Sequence, residues 1–468
     1  MGKYKKLVQN TAIFAIGSFG TRVLSFLIVP LYTYVLTTAE YGEIDLFTTA
    51  ISMFLPFSCL MFSEAVLRFG AANECMPEKI VANSMLVVGY SVVFTLVFIP
   101  IYIFGFGFGE NTWIYITVLI LNGYGNIFSE YLRACNKTAA YAISGVIQAC
   151  GMMGCNLFFL IKLHLGMRGY LYAMLVSQLM VALYVTYKGR IVQLFSYKNI
   201  DITLLKKMLR YSVPLIPNSL MWWIMSAGDK YIINYFLGDS VNGIYSIALK
   251  VPTIVSMAYS IFMQAWQLSA IEEKNSEEVS DFYDEVFSAV SLVVGAMSAG
   301  IMLVVYPVFT FVLNEEYHTA WEYVPLLCIA TILSCFGSFF GVTYIVTKKS
   351  DKAFITTMIG AVANIGFNFM LVRQWGLYGV VWGTIVGYFI VVIIRYQDMK
   401  NDMNILVNIK RFYVLLGILL IEATMITTRN NTASYLLSCG IVLFVFFLYR
   451  SEVLQVAKIL NKKFLKKR

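Results

Sequence analysis

Charged residues are scarce in this chain of 468 residues: Asp, Glu, Lys and Arg make up 13% of it, whereas a soluble domain carries about a quarter. Hydrophobic residues make up 59%, and this share excludes a soluble globular protein. Aromatic residues make up 16%, which excludes a disordered or low-complexity chain. The composition therefore predicts a polytopic membrane protein.

The motifs of common enzymes are also missing. The only histidines, His164 and His318, fall in predicted outer loops, so neither a His-based catalytic site nor a His-rich metal site is supported. No G-x-x-x-x-G-K-[ST] motif is present for ATP hydrolysis, and the eight cysteines form no C-x-x-C pair. The loops are too short for a glycosyltransferase domain. We therefore predict a protein that is not an enzyme and binds no cofactor or metal.

Long apolar runs dominate the sequence, and a transmembrane helix needs about 20 apolar residues. The runs are far longer than the roughly ten-residue alternating segments of a membrane β-barrel. They predict an all-α polytopic membrane fold with about fourteen transmembrane helices. The first run lacks a small-residue cleavage pattern, so we interpret it as a helix rather than a signal peptide. The predicted spans are residues 7–36, 43–70, 81–106, 112–133, 139–162, 168–188, 207–237, 241–271, 283–313, 320–346, 353–373, 377–399, 410–428 and 433–449.

The distribution of positive charge predicts the orientation of these spans. With the N-terminus in the cytoplasm, most of the 35 Lys and Arg residues fall on the inner side, and the outer loops hold only Lys162, Arg168, Arg373 and Arg429. Both termini are then cytoplasmic. Basic inner loops facing anionic lipid headgroups explain the net charge of +9 without nucleic acid.

A weak internal repeat divides the chain into two halves. Residues 34–44 (YVLTTAEYGEI) resemble residues 235–245 (YFLGDSVNGIY), and residues 156–173 resemble residues 368–383. Each match falls on the corresponding helix of a six-helix set, which predicts two parallel halves. The predicted divisions are a first half at 1–188, a basic cytoplasmic linker at 189–206, a second half at 207–399, two further helices at 400–449 and a tail at 450–468.

The tail is basic and amphipathic, with apolar residues on one helical face, and we expect it to lie on the inner membrane surface. The residues on this face are Val453, Leu454, Ala457, Leu460 and Phe464.

Several motifs resemble a known family. Residues 10–22 read N-T-x-x-F-x-x-G-x-x-x-T-R, and residues 30–42 read P-L-Y-T-Y-V-L-x-x-x-E-Y-G. The second half contains V-P-L-I-P-N-S-L at 213–220, D-K-Y-I-I-N-Y-F-L-G at 229–238 and G-I-Y-S-I-A-L-K-V-P at 243–252. These motifs resemble the Wzx-type oligosaccharide flippases, which form the polysaccharide transporter family of the multidrug/oligosaccharidyl-lipid/polysaccharide (MOP) exporter superfamily.

The resemblance implies a flippase of the bacterial inner membrane. Its substrate would be an undecaprenyl-pyrophosphate-linked oligosaccharide for capsule, O-antigen or exopolysaccharide assembly, with a polysaccharide polymerase as a partner and H⁺ or Na⁺ as a coupling ion. Two alternatives stay open. One is a cation-coupled efflux transporter of the related MATE type, and the other is a non-transporting scaffold that recruits assembly enzymes.

Basic residues inside predicted spans are the first candidates for a substrate site. An Arg near the middle of a membrane costs about 2.5 to 3.5 kcal/mol by insertion scales, so such residues usually face a cavity or a partner. Arg22 and Lys250 are the predicted pyrophosphate ligands, because phosphate oxygens favour such cations. Arg22 also resembles the first-helix arginine of lipid-linked precursor flippases. A structural ion pair, or hydrogen bonds to carbonyl groups at a kink beside Pro252, remains the alternative.

Other ionisable residues predict lumen or gating roles. Asp229 and Lys230 are adjacent in one span and point about 100° apart, so Asp229 either binds a coupling proton or sodium ion or forms a salt bridge with Lys250 or a neighbour. Glu64 and Arg68 are four residues apart on one helical face, which fits a gate or a local ion pair. The aromatic residues considered for stacking on sugar rings are Trp222, Trp223, Tyr231, Tyr259 and Trp266.

Overall fold

The structure is a computed structural model that describes residues 28–71, 76–272, 279–347, 349–428, 432–452 and 454. Arg22, most of the first predicted span and nearly all of the amphipathic tail lie outside these residues.

The described part of the chain is built from α-helices and contains no strand, as the sequence predicts. Eighteen α-helices are described: α1 Val29–Val35, α2 Thr38–Ser58, α3 Phe62–Ala71, α4 Pro77–Val97, α5 Thr112–Ala134, α6 Thr138–Asn156, α7 Gly166–Gly189, α8 Ile191–Leu194, α9 Ile202–Ser212, α10 Ile216–Ala227, α11 Asp229–Leu237, α12 Asp239–Lys250, α13 Thr253–Glu272, α14 Val279–Val312, α15 Val324–Thr347, α16 Ser350–Met403, α17 Ile409–Thr428 and α18 Thr432–Leu448. Two π-helical segments, Ile101–Gly105 and Leu157–Lys162, follow the C-terminal ends of α4 and α6.

Six described helical segments are long and apolar enough to cross a membrane. Two bent pairs, α2 with α3 and α12 with α13, also pass when each pair is taken as one span. The predicted span 207–237 is not one helix, because α9, α10 and α11 divide it. The count of fourteen spans therefore stays a prediction, whereas the all-helical membrane fold is confirmed.

The chain divides into two compact units, Met1–Ala227 and Gly228–Arg468. In the described part of the first unit, α3, α5, α7 and α9 pack around an apolar core that contains Phe62, Phe128 and Met208. A second core near the predicted outer end gathers aromatic rings such as Phe54, Tyr102 and Tyr115. The two units are defined by contacts within each of them, whereas the predicted halves are defined by the sequence repeat. The units therefore do not test the predicted boundaries of the halves, which stay predictions.

The helix α9 belongs to the first unit because its N-terminus is bonded to α4. Lys79 contacts Asp201 at 2.9 Å, and Asn83 exchanges two hydrogen bonds with the Asp201 backbone. Asp201 also caps α9 by accepting from the Leu204 N–H. This backbone donor, together with Lys79, holds the pKa of Asp201 below its ordinary value. Asp201, near the end of the predicted basic linker, is therefore held against α4.

A sharp bend of 55° separates α2 from α3. Leu60 and Met61 at the bend both have positive φ, 53° and 51°, which residues with large side chains rarely adopt. The Cys59 side chain packs so closely on Gly123 of α5 that a Cβ at Gly123 would collide with Cys59 Sγ. A second bend, of 45°, follows Lys250 at Val251 and Pro252, where the sequence predicts a kink.

The helix α16 joins two predicted spans through a break at Gly376, where φ is 55° and ψ is −134°. The arm after the break carries Gly379, Gly383 and Gly387 at four-residue spacing, so these glycines lie along one face. A Cβ at Gly383 would collide with Asn368 Oδ1, and a Cβ at Gly387 would lie 2.8 Å from the Asn364 Cβ. Glycine therefore lets the two arms of α16 approach closely.

We expect Gly383→Ala to lower the free energy of unfolding by about 1 to 3 kcal/mol, because the added methyl group overpacks the contact with Asn368. Thermal unfolding of the purified protein in detergent measures the change. Gly366→Ala on the first arm is the matched control, since a Cβ there meets no atom within 4 Å. Equal melting temperatures for the two variants would contradict the close approach.

Candidate functional site

The buried carboxylate of Asp229 is the centre of a polar cluster in the second unit. Asp229 is the first residue of α11, where the helix dipole favours a negative charge, and only 2% of it is exposed. It accepts hydrogen bonds from Tyr245 Oη at 3.1 Å, Thr384 Oγ1 at 2.6 Å and Asn368 Nδ2 at 2.6 Å. Uncharged donors therefore surround this acid, and no ion pair joins it to Lys250 among the described residues.

The donors to Asp229 come from two helices besides its own. Tyr245 lies on α12, Asn368 on the first arm of α16, and Thr384 on the second arm. Asn364 lies one turn before Asn368. It accepts a hydrogen bond from the Asn368 amide at 3.4 Å and donates one to the Thr384 hydroxyl at 3.3 Å. The break at Gly376 and the glycine face after it bring these side chains together.

Burying an ionised carboxylate without partners is far costlier than burying a neutral polar group. Three hydrogen bonds to Asp229 offset part of that free energy, because bonds to a charged acceptor are stronger than neutral ones. The same hydrogen-bond network contains further oxygen atoms. They are the Thr384 hydroxyl, the Val380 carbonyl that this hydroxyl contacts at 3.0 Å, and the amide oxygens of Asn364 and Asn368.

Oxygen donors of this kind suit a proton or a small hard cation. Carboxylate, amide, hydroxyl and backbone oxygens are the usual ligands of hard cations in proteins. Asn368 Oδ1 is buried and has no hydrogen-bond partner within the described residues. The described chain contains no group of three or more His, Cys, Asp or Glu side chains suited to a metal ion. The cluster thus presents oxygen atoms of the types that a proton or a small hard cation takes, and Asp229 is the acid among them.

The first unit contains a neutral counterpart of this cluster. Asn156, which aligns with Asn368 in the internal repeat, donates to Tyr32 Oη at 2.8 Å. Both asparagines are fully buried, and both bond to a side chain of an early helix of their unit. The partner of Asn156 is a tyrosine hydroxyl, whereas the partner of Asn368 is the carboxylate of Asp229. Of these two contacts, only the one in the second unit contains an acid.

The other predicted residues of the second unit lie apart from these hydrogen bonds. Lys250 is the last residue of α12 and is half-buried directly before the bend at Pro252. Lys230 is half-buried, whereas its neighbour Asp229 is buried, which fits the predicted difference in direction. No ion pair is formed by Lys250 among the residues that the structure describes. The proposed phosphate role of Lys250 stays a prediction.

Glu64 and Arg68 do not form the ion pair that their spacing allows. Both lie exposed on α3, and the Arg68 guanidinium lies over the Tyr211 ring, 4.3 Å from its centre. A cation–π contact with α9 thus replaces the local pair. Glu130 and Arg133 on α5, by contrast, form an ion pair at 3.3 Å.

Three of the aromatic candidates are buried or hydrogen-bonded within the fold. Trp266 is buried, and its ring stacks on Phe339 with 4.7 Å between centres, so protein atoms occupy this face. Tyr259 is buried as well. Trp223 donates through Nε1 to the Thr49 carbonyl and to Ser52 of α2, and therefore fixes α10 within the first unit.

Two buried ionisable residues did not emerge as candidates from the sequence. Arg395 on the second arm of α16 donates to the Gly337 carbonyl at 2.8 Å and to Thr357 at 2.8 Å, so it joins α15 to both arms. Glu422 on α17 accepts a hydrogen bond from Ser438 of α18.

The sequence analysis also missed three partners of Asp229, which are Asn364, Asn368 and Thr384. Two asparagines at positions i and i+4 in an apolar span were a visible signal for them.

Comparisons with known proteins identify the family. A family model described as "Polysaccharide biosynthesis protein" matches residues 7–267, more than half of the chain. The chain therefore belongs to this family. A search of curated proteins finds no match to the sequence.

The fold is shared with a solved flippase and with a solved transporter of the MOP superfamily. Lipid II flippase MurJ in an inward closed conformation aligns over 95% of this chain and 99% of its own, with 16% identity and a TM-score of 0.70. A multidrug resistance MATE family transporter in an inward-facing conformation covers 82% of this chain and 94% of its own, with 16% identity and a TM-score of 0.68. The MOP-type fold is thus confirmed, and the protein is a multi-pass membrane protein.

We expect Thr384→Val to lower the free energy of unfolding by about 1.5 to 3 kcal/mol, because the carboxylate of Asp229 then loses a short hydrogen bond in a buried site. Chemical or thermal unfolding in detergent measures the loss. Thr424→Val on α17 is the control, since the exposed Thr424 hydroxyl bonds only to a carbonyl of its own helix among the described residues. A loss no larger than that of the control would show that the hydrogen bond contributes little.

Proposed function

We propose that this protein is a flippase that moves an undecaprenyl-pyrophosphate-linked oligosaccharide from the inner to the outer leaflet by alternating access. The proposal places it in the bacterial inner membrane with both termini in the cytoplasm, in capsule, O-antigen or exopolysaccharide assembly. Membership of the polysaccharide biosynthesis family supports this function. The fold shared with a lipid II flippase over 95% of the chain is the observation that carries it.

The proposed substrate contacts are cationic. Arg22 and Lys250 are proposed as ligands of the pyrophosphate, since each places a positive charge within a predicted span. The lipid chain stays in the bilayer throughout, so only the glycan and the pyrophosphate need a polar path. Glu64, Arg68 and Lys230 are proposed as residues of the polar path or its gate.

The proposed coupling ion binds at Asp229. Its carboxylate lies among the hydroxyl and amide groups of Thr384, Asn364 and Asn368, and intramembrane acids of this kind mark ion pathways. A bound H⁺ or Na⁺ neutralises the carboxylate and relieves the free energy of burying its charge. Binding and release of the ion therefore change the stability of the contact between α11 and the two arms of α16.

A second candidate function is cation-coupled efflux of the MATE type. The fold similarity to a MATE family transporter and the buried carboxylate of Asp229 both favour it. The two functions differ in the substrate that crosses the membrane and in the need for positive charges at Arg22 and Lys250.

We expect the purified protein in proteoliposomes to flip a fluorescent undecaprenyl-pyrophosphate oligosaccharide, scored by a membrane-impermeant quencher. Arg22→Gln and Lys250→Gln are each expected to lower the flipping rate at least tenfold, because each removes a ligand of the pyrophosphate. Arg168→Gln is the matched control, since this arginine forms an exposed ion pair with Glu110 at 2.7 Å.

Flipping that is unchanged in both variants would leave the flippase and overturn the pyrophosphate site. Absence of flipping by wild type under an imposed potential or ion gradient, together with export of a cationic dye, would support the efflux function instead.

We expect Asp229→Asn to abolish the dependence of flipping on an imposed Na⁺ or H⁺ gradient, because the neutral amide no longer takes a cation. Flipping rates with each gradient applied separately decide which ion is used. Asp239→Asn is the control, since this acid lies two residues beyond the end of α11 and bonds to Asn234. A gradient dependence that survives in Asp229→Asn would exclude this residue as the coupling site.

A further inference from the structure

An open groove runs along the exposed face of α6 and α7 in the first unit. Its volume is about 410 Å³. The lining is almost wholly apolar and includes Ile147, Gly151, Gly154, Cys155 and Met180. No Asp, Glu, Lys, Arg or His contributes to it. A polar headgroup is therefore excluded from this surface, and a hydrocarbon chain suits it.

Gly154 leaves space open in the groove. A Cβ at Gly154 would meet no atom within 4 Å, so a larger side chain there would fill the groove rather than collide with the fold. The lining residues Val146 and Met180 are exposed, as is Met153 on the same helix as Val146. An apolar cavity of about 150 Å³ takes one benzene molecule, so the groove has room for roughly three five-carbon isoprene units.

Positive charges lie at the predicted inner end of the same two helices. The Lys137 ammonium donates to the Lys188 carbonyl at 3.1 Å, which joins the start of α6 to the end of α7. Arg190 follows two residues later and is exposed, as is Lys188. None of these three cations forms an ion pair within the described part of the chain, so their charge is available to an anion.

The distance between these cations and the groove selects the length of the chain that fits. At 1.5 Å per helical residue, the groove residues of α6 lie about 13 to 27 Å from the level of Lys137. On α7, Met180 lies about 12 Å from Lys188. The hydrocarbon core is about 30 Å thick, so the groove crosses the midplane and extends beyond the chains of inner-leaflet phospholipids.

We infer that this face is where the lipid-linked substrate first binds: it holds the polyprenyl chain while the pyrophosphate lies at Lys137, Lys188 and Arg190, before the pyrophosphate moves to Arg22 and Lys250. The inference rests on the proposed flippase function and on its orientation in the membrane. Three cations match the charge of a pyrophosphate better than that of a single phosphodiester. A long prenyl chain with its anion at the inner surface reaches the groove, which a phospholipid of the same leaflet does not fill.

Photolabelling of the full-length protein in nanodiscs tests this site. The probe is an eleven-unit polyprenyl pyrophosphate with a diazirine midway along the chain, and labelled peptides are identified by mass spectrometry. We expect label to concentrate at residues 146–155 and around Met180. Gly154→Leu is expected to lower this label at least fivefold. Gly89→Leu on α4 is the matched control, since Gly89 is also exposed and open.

The cation end is tested with the double variant Lys137→Gln and Arg190→Gln. It is expected to lower labelling by the pyrophosphate probe at least fivefold and to leave labelling by the matching uncharged polyprenol unchanged. Lys162→Gln, at the opposite end of the same span, is expected to alter neither. An equal loss with both probes would overturn the assignment of the pyrophosphate to these residues.

Two outcomes would overturn the site as a whole. One is label spread evenly over the exposed faces of the first unit, and the other is complete displacement by excess phosphatidylglycerol, which would indicate a phospholipid site. The flipping assay separates this inference from the function. Groove labelling by a wild-type protein that does not flip the substrate would support the site and contradict the flippase function. Normal flipping without groove labelling would support the function and contradict the site.

Discussion

A carboxylate in an apolar helix bundle has to be given hydrogen-bond donors, and in the second unit this requirement organises several helices at once. Asp229 at the start of α11 obtains its donors from α12 and from both arms of α16. The two arms meet only because α16 breaks at Gly376 and because glycine occupies the facing positions after the break. The backbone of the unit and the chemistry of its buried acid therefore depend on each other.

The long helices were predictable because about twenty consecutive apolar residues have few other stable structures in a chain of this composition. Interruptions were harder to predict. Pro252 marked one bend correctly, whereas the bend at Leu60 and Met61 has no proline or glycine within it. Gly228 ended α10, although an isolated glycine in an apolar run is often tolerated in membrane helices.

The centre of the candidate site was predictable for a different reason. An acid inside an apolar span is rare enough to stand out, so Asp229 emerged from the sequence alone. Its partners did not, since Asn, Thr and Tyr occur in many spans and only the tertiary fold shows which of them meet. Helical spacing likewise allowed a pair between Glu64 and Arg68, but it did not reveal that Tyr211 approaches Arg68 from another helix. The roles of Arg22 and Lys250 remain predictions.

The bend between α2 and α3 has a mechanical consequence. Two adjacent residues in the left-handed region each cost of order 1 to 3 kcal/mol, so the bent form persists only while its surroundings hold it. The surroundings are specific: Cys59 rests on Gly123 of α5, and α3 packs along the same helix. The contacts with α5 therefore hold the bend in its strained conformation. A sliding movement of α5 that carried Gly123 away from Cys59 would release the stored strain and straighten the helix.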